Sequence, residues 1–212
     1  MQTAAFRYGL ADQHTYEFVQ GVVPWELPQD PSNQHYAYYD ITSPASFITA
    51  LDNLEAYVEA EGPFDGVIAY SQGAGLVAML LVRRQYLQPQ AEPLFRCAIL
   101  FSPVQVYDPV AYLERGEVRV LDRLVPGMVR FSIPVVIISG EADDRKAECQ
   151  GLQAICDPAL LNVFVHEGGH EVPGIGVQNG IAGTIKAARR GITLAEIAAV
   201  HSESIALKTS GC

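Results

Sequence analysis

Residues 64–81, FDGVIAYSQGAGLVAMLL, read as a buried strand, a sharp turn carrying a serine, and a helix. Val67, Ile68, Ala69 and Tyr70 form a short, partly β-branched apolar run bounded by Asp65-Gly66. After Gln72-Gly73-Ala74-Gly75, the apolar Val77, Leu80 and Leu81 recur at helical spacing. A serine at such a junction fits a nucleophile elbow, a strained turn that lifts the hydroxyl out of the sheet toward a helix N-terminus. Small neighbours are the physical requirement. Gly73, two residues after Ser71, lets the helix begin close to the strand, and Ala69, two before it, stands where the usual G-x-S-x-G pattern has glycine. The competing reading is a plain strand-to-helix turn in which the Ser71 hydroxyl caps the helix.

Composition bounds what such a serine could serve. The chain has 212 residues, 49% apolar and 18% charged, enough for one domain with a substantial core. A net charge of −10 argues against nucleic acid or an anionic membrane as partner. The longest apolar run, residues 74–82, is far too short to span a bilayer, and no basic-plus-apolar leader follows Met1. Cys97, Cys149, Cys156 and Cys212 show neither metal-ligand spacing nor a dense disulfide pattern, which predicts reduced thiols in a cytoplasmic protein.

Upstream of the elbow, Ser43-Pro44 opens a helix in which Phe47, Leu51, Leu54 and Val58 form one apolar stripe, ended by Gly62-Pro63. The chain itself opens on a short helix with Ala4, Ala5, Tyr8 and Leu10, and Tyr16 to Val19 reads as a short strand. Residues 21–44 are rich in proline and aromatics, which predicts a loop. Trp25, Tyr36, Tyr38 and Tyr39 are too many large rings to leave in water, so some should cover the core or line a pocket. Trp25 and Tyr36, with Tyr70 beside the serine, are the candidate substrate-binding side chains.

Downstream, RCAILF at 96–101 and IPVVIIS at 133–139 read as buried strands, the second apolar on both faces and therefore central. Between them, residues 104–130 are interrupted by Asp108-Pro109, Gly116 and Pro126-Gly127, a candidate lid or substrate wall. A helix over 145–156 and a strand over 160–165 (LLNVFV) follow. Two helices are expected after Pro173: one with Val177, Ile181, Ile185 and Ala188 ending at Gly191, and a second capped by Thr193 and Glu196 with Leu194, Ile197 and Ile205 apolar. Strands alternating with helices predict one α/β domain over 1–212, a doubly wound, mostly parallel sheet with helices on both faces. Ligands of such sheets bind at the carboxyl ends of the strands.

Three chemistry-bearing side chains fall at those ends. Ser71 follows one strand, Asp143 of Gly140-Glu141-Ala142-Asp143 a second, and His170 of HEGGHEVP (166–173) a third. Their order, Ser, Asp, His, is that of the α/β-hydrolase triad. Histidine takes the serine proton during attack and returns it to the leaving group, and the carboxylate fixes the imidazole tautomer and stabilises its cation. Asp144 and His166 are the rivals within this set. Asp143 is preferred because it comes three residues past Gly140, and His170 because Gly168-Gly169 can present it over the sheet. His14, His35 and His201 read as surface residues.

On FDGVIAYSQGA, the aspartate of GEAD and GGHEVP, the chain resembles the FSH family of fungal serine hydrolases, which includes thioesterases that release polyketides from their synthases. The resemblance runs from the first helix to Pro173. It implies an α/β-hydrolase fold, Ser71, Asp143 and His170 as the triad, and the backbone amide of Gln72 as one oxyanion donor. It further implies a small-molecule ester or a carrier-bound acyl thioester as substrate, a polyketide synthase as a candidate partner, and no metal or cofactor. The family's chain normally begins with a buried strand and an HGxG loop ahead of the helix that here opens at Met1. Their absence predicts unpaired backbone beside the Ser71 strand and the loss of the other oxyanion donor, as a truncated gene product would show. Two other classes share such a scaffold: an inactive homologue acting as a binding protein, and a cyclase or lyase using the same site.

Overall fold

In the computed structural model, residues 3–11, 14–26, 30, 32–124, 130–174, 176 and 180–209 are described, 201–209 as backbone only. The elements in chain order are α1 (Ala4–Leu10), β1 (Val23–Trp25), β2 (His35–Ala37), α2 (Pro44–Glu61), β3 (Gly66–Tyr70) and α3 (Gln72–Leu87). They continue with β4 (Cys97–Phe101), α4 (Pro109–Arg115), β5 (Val135–Gly140), α5 (Lys146–Ala154), β6 (Leu161–His166) and α6 (Gly180–Thr209).

The apolar runs singled out in the sequence form one parallel sheet in the order β3-β4-β5-β6. Every residue of β4 and β5 is buried, as strands covered on both faces require. Alternate side chains divide between two layers because the strand period is two. Ala98, Leu100, Val135 and Ile137 pack with Leu51 of α2, Met79 and Leu80 of α3 and Leu152 of α5. Ile99, Phe101, Val136 and Ile138 pack with Phe6 and Leu10 of α1 and Ala187 and Ala188 of α6. Helices therefore cover both faces. Residues 73–83 of α3 are buried on every side of the helix, and Arg83, 4% exposed, finds its counter-charges in Asp52 and Glu55 of α2.

Several local expectations are corrected. Tyr16 to Val19 is not a strand but irregular chain, and Tyr38 Oη donates to the Val19 carbonyl at 2.9 Å. The stretch read as loop contains an antiparallel hairpin, with Val23 opposite Ala37 and Trp25 opposite His35. Pro24 is tolerated there because two-stranded ribbons consist of edges. Helix α6 does not break at Gly191. A Cβ at that position would lie 2.4 Å from Val136 Cγ2, so this glycine serves close approach of helix to sheet and not helix termination. Within α1, Phe6 and Leu10 are buried and Tyr8 is 83% exposed. Pro126, Gly127, Val177 and Cys212 lie outside the described residues, as do the side chains of His201 and Ile205.

Between β4 and β5 the chain is largely packed down. Val104, Val106, Ala111 and Leu121 are buried, and Asp108 caps α4 by accepting from the Val110 and Ala111 amides. No helix among the described residues is long and apolar enough to cross a membrane. Cys97, Cys149 and Cys156 are buried free thiols, and burial pushes their pKa values up to about 11, 12 and 12.

Candidate active site

Ser71 stands between β3 and α3 with φ +54° and ψ −119°, a left-handed backbone that costs a non-glycine residue roughly 1–3 kcal/mol. Its amide donates to the Phe101 carbonyl at 2.9 Å, and its carbonyl accepts from Gly75 at 3.1 Å, so the strain is held from both sides. The hydroxyl makes no capping bond to α3. It points to His170, with Oγ 2.8 Å from Nε2, which removes the plain-cap reading of this serine.

The glycines of the elbow are there for space. A Cβ at Gly73 would meet the Tyr38 ring at 3.1 Å, and one at Gly75 the Val104 carbonyl at 3.2 Å. Gln72 ties the same region to the hairpin segment: its Oε1 accepts from the Tyr38 amide at 2.8 Å and its Nε2 donates to the Tyr39 carbonyl at 2.9 Å. The Gln72 amide is the first of α3 and has no acceptor within the helix, as holds for every helix start.

His170 reaches Ser71 from a loop laid over the end of β5. Gly140 makes this possible, since a Cβ there would lie 2.1 and 2.2 Å from the Gly168 and Gly169 carbonyl oxygens. The Ala142 amide donates to Gly168 O at 3.0 Å and the Glu141 amide to His166 O at 2.7 Å, joining this loop to the one that carries Asp143. His170 Nδ1 lies 3.0 and 3.1 Å from the two Asp143 oxygens. The Asp143 side chain is fully buried, and Oδ1 also accepts from the Arg145 amide at 2.8 Å. Burial alone would raise this carboxyl. The Arg145 amide and His170 outweigh it and hold the pKa below the usual carboxylate range, helped by the Ser102 hydroxyl, which lies buried nearby outside strict hydrogen-bond geometry.

The rivals sit elsewhere. Asp144 is exposed. His166 is 3% exposed at the end of β6, and its Nδ1 accepts from the Gly168 amide at 3.1 Å, which leaves the proton on Nε2. Burial lowers the His166 pKa against the opposing charges of Glu171 and Asp143. The arrangement thus brings Ser71, His170 and Asp143 into one hydrogen-bonded chain suited to nucleophilic attack on a carbonyl.

The candidate substrate-binding residues divide. Tyr70 is part of the site: its hydroxyl donates to the His170 carbonyl at 2.7 Å and its ring centroid lies 5.4 Å from the imidazole's. Trp25 and Tyr36, about two-fifths exposed on the hairpin, share no hydrogen bond or ring contact with Ser71, Asp143 or His170 among the described residues. The Gln72 side-chain clamp and the Arg145 amide on Asp143 were not foreseen. Both engage the backbone, and backbone partners leave no residue signature. Among the described residues no group of three or more His, Cys, Asp and Glu side chains is gathered closely enough to hold a metal ion.

Comparison with known proteins bears on the same site. A family model described as Serine hydrolase (FSH1) matches residues 1–176. Esterase FPY3 of Fusarium mangiferae is 34% identical over 187 residues, covering 84% of this chain and 83% of that protein. Hydrolase phiM of a fungal species (strain ATCC 74256) is 29% identical over 160 residues, covering 74% and 71%. The crystal structure of a carboxylesterase from Mesorhizobium loti covers 87% of this chain and 79% of its own, with a TM-score of 0.57. At 18% identity that match speaks for the fold, which is the α/β-hydrolase fold. With the family model spanning the elbow, both loops and the sheet, the chain belongs to the serine hydrolase (FSH1) family.

Proposed function

We propose that the chain is a serine esterase or thioesterase that works through an acyl-enzyme on Ser71. The observation that carries this reading is the continuous chain of contacts from Ser71 Oγ through the imidazole of His170 to the buried Asp143 carboxylate. In the first half-reaction Ser71 Oγ attacks the carbonyl carbon while His170 Nε2 takes its proton. The oxyanion faces the Gln72 amide at the start of α3, where a hydrogen-bond donor acts in company with the positive end of the helix dipole. Collapse expels an alcohol or thiol, which takes the proton from His170. Water then repeats the sequence on the acyl-enzyme and returns Ser71 to its hydroxyl form. Asp143 remains ionised throughout and holds the imidazole in the required tautomer.

The substrate is an acyl or polyketide chain held as an ester or as a carrier thioester, and a polyketide synthase is the partner that would deliver it. Support comes from the resemblance noted above and from relatives named as an esterase and a hydrolase of fungi. Trp25 and Tyr36 would line its approach from the hairpin that leads into the Tyr38-Tyr39 backbone held by Gln72, and the chain after β4 would supply a wall, its Val104 amide lying 3.4 Å from the Ser71 carbonyl. The buried free thiols favour a cytoplasmic location.

A fluorophosphonate probe, which modifies activated serines, should label the peptide containing Ser71, and Ser71→Ala should abolish both label and ester turnover. Labelling that survives the substitution would sink the assignment.

A further inference from the structure

We infer that Tyr70 is a positioning residue for His170: its hydroxyl, carried on β3 next to the nucleophile, fixes the His170 backbone at the height where Nε2 meets Ser71 Oγ. The inference rests on the reading of Ser71 and His170 as nucleophile and base.

His170 lies in a stretch without regular secondary structure, two residues after Gly168 and one after Gly169. The loop is tied on its approach, by Ala142 to Gly168 O and by Gly168 to His166 Nδ1, and it closes on itself through the Glu171 amide and Gly169 O at 3.0 Å. At His170 itself, the backbone carbonyl accepts from the Tyr70 hydroxyl at 2.7 Å, its hydrogen bond to the body of the protein among the described residues. The remaining ties of this residue belong to its ring. One of them, Nε2 to Ser71, is broken and remade as the proton moves in each half-reaction. The bond from Tyr70 ends on a carbonyl oxygen that does not titrate, so it persists through both half-reactions.

A closed circuit results. Tyr70 is covalently joined to Ser71, Ser71 Oγ meets His170 Nε2, and the His170 carbonyl returns to the Tyr70 hydroxyl. The distance between nucleophile and base is thereby set over three groups, independently of the glycine-rich loop. The phenol also stays protonated. Burial, followed by the negative charges of Asp143 and Glu171, raises its pKa above the usual tyrosine range, so donation continues at alkaline pH. A side chain already committed in this way is poorly placed to serve substrate, which replaces the substrate-contact role expected for it.

Tyr70→Phe keeps the ring beside the imidazole and removes the donor. With a short-chain nitrophenyl ester, kcat should fall about tenfold, because a base no longer held in place spends less of its time within reach of Ser71, with KM unchanged and Tm lowered by no more than the few degrees that one hydrogen bond is worth. The rate of fluorophosphonate labelling at Ser71 should fall in proportion. A raised KM at unchanged kcat would overturn the inference in favour of a substrate contact, and a fall in kcat that vanishes when the variant is assayed well below its own Tm would overturn it in favour of general packing. If the parent chain is labelled at Ser71 and Tyr70→Phe matches it in kcat and KM, the inference alone fails. A parent chain that takes no label fails the reading of the site, and the inference with it.

Discussion

Two buried groups behind Ser71 make the chain sensitive to acid, and for different reasons. Asp143 has a folded pKa below its ordinary 3.8, so the stability it contributes is present above that value and is lost as pH falls through the lower one. His166 is kept neutral by burial, with its folded pKa below 6.5. Between those two values the unfolded chain binds a proton that the folded chain refuses, so stability must fall as pH drops from about 6.5 toward the lowered value. Thermal melts at pH 7.5 and 5 should show this loss. His166→Asn, which still offers Gly168 an acceptor, should remove most of the slope while leaving ester turnover near the parent level. An unchanged slope would mean that another group carries it. The grouping of Ser71, Asp143 and His170 was legible because each follows a strand in an order that has chemical meaning. That His170 and not His166 lies against Ser71 is visible only in the loop geometry. The Tyr70 hydroxyl was beyond reach, because its partner is a carbonyl 100 residues along the chain, and carbonyls look alike in every sequence.

At the scale of elements, long apolar runs were read well and short or interrupted ones were not. β4 and β5 are apolar on both faces, which leaves burial at the sheet centre as the one stable arrangement. The hairpin was missed because its strands have three residues each and one of them contains proline, too little for a period of two to register. Tyr16 to Val19 had strand-like residues but is irregular chain, because the ladder of a sheet, not propensity, makes a strand. Gly191 misled for a third reason: glycine ends helices and also admits close packing, and the two uses are indistinguishable until the neighbour is known. Gly191→Ala tests which use applies. Alanine favours a helix interior by roughly 1 kcal/mol, whereas forcing a methyl against Val136 costs about 1–3 kcal/mol. Urea denaturation should therefore show a net loss of about 1 kcal/mol, and a raised midpoint would mean that Val136 can move aside.

For the molecule as a whole, the sheet order follows from the connections, since each strand from β3 to β6 is joined to the next through at least one helix and lies beside it. The sheet has no internal gap. β3, which presents Ser71, stands at its border, and among the described residues its outer edge pairs with no strand, at the side where the family's opening strand was expected to lie. Why three side chains from loops after β3, β5 and β6 converge is then a matter of architecture: parallel strands place all their carboxyl ends on one rim. Whether that rim does acyl transfer is settled most directly by trapping the intermediate. The chain is mixed with a short acyl thioester, quenched in acid within the first turnover, digested and weighed by mass spectrometry. The acyl group should appear on the peptide containing Ser71 and disappear as free acid accumulates. Release of thiol and acid with Ser71 never acylated, or with the acyl group resident on another residue, would contradict the account.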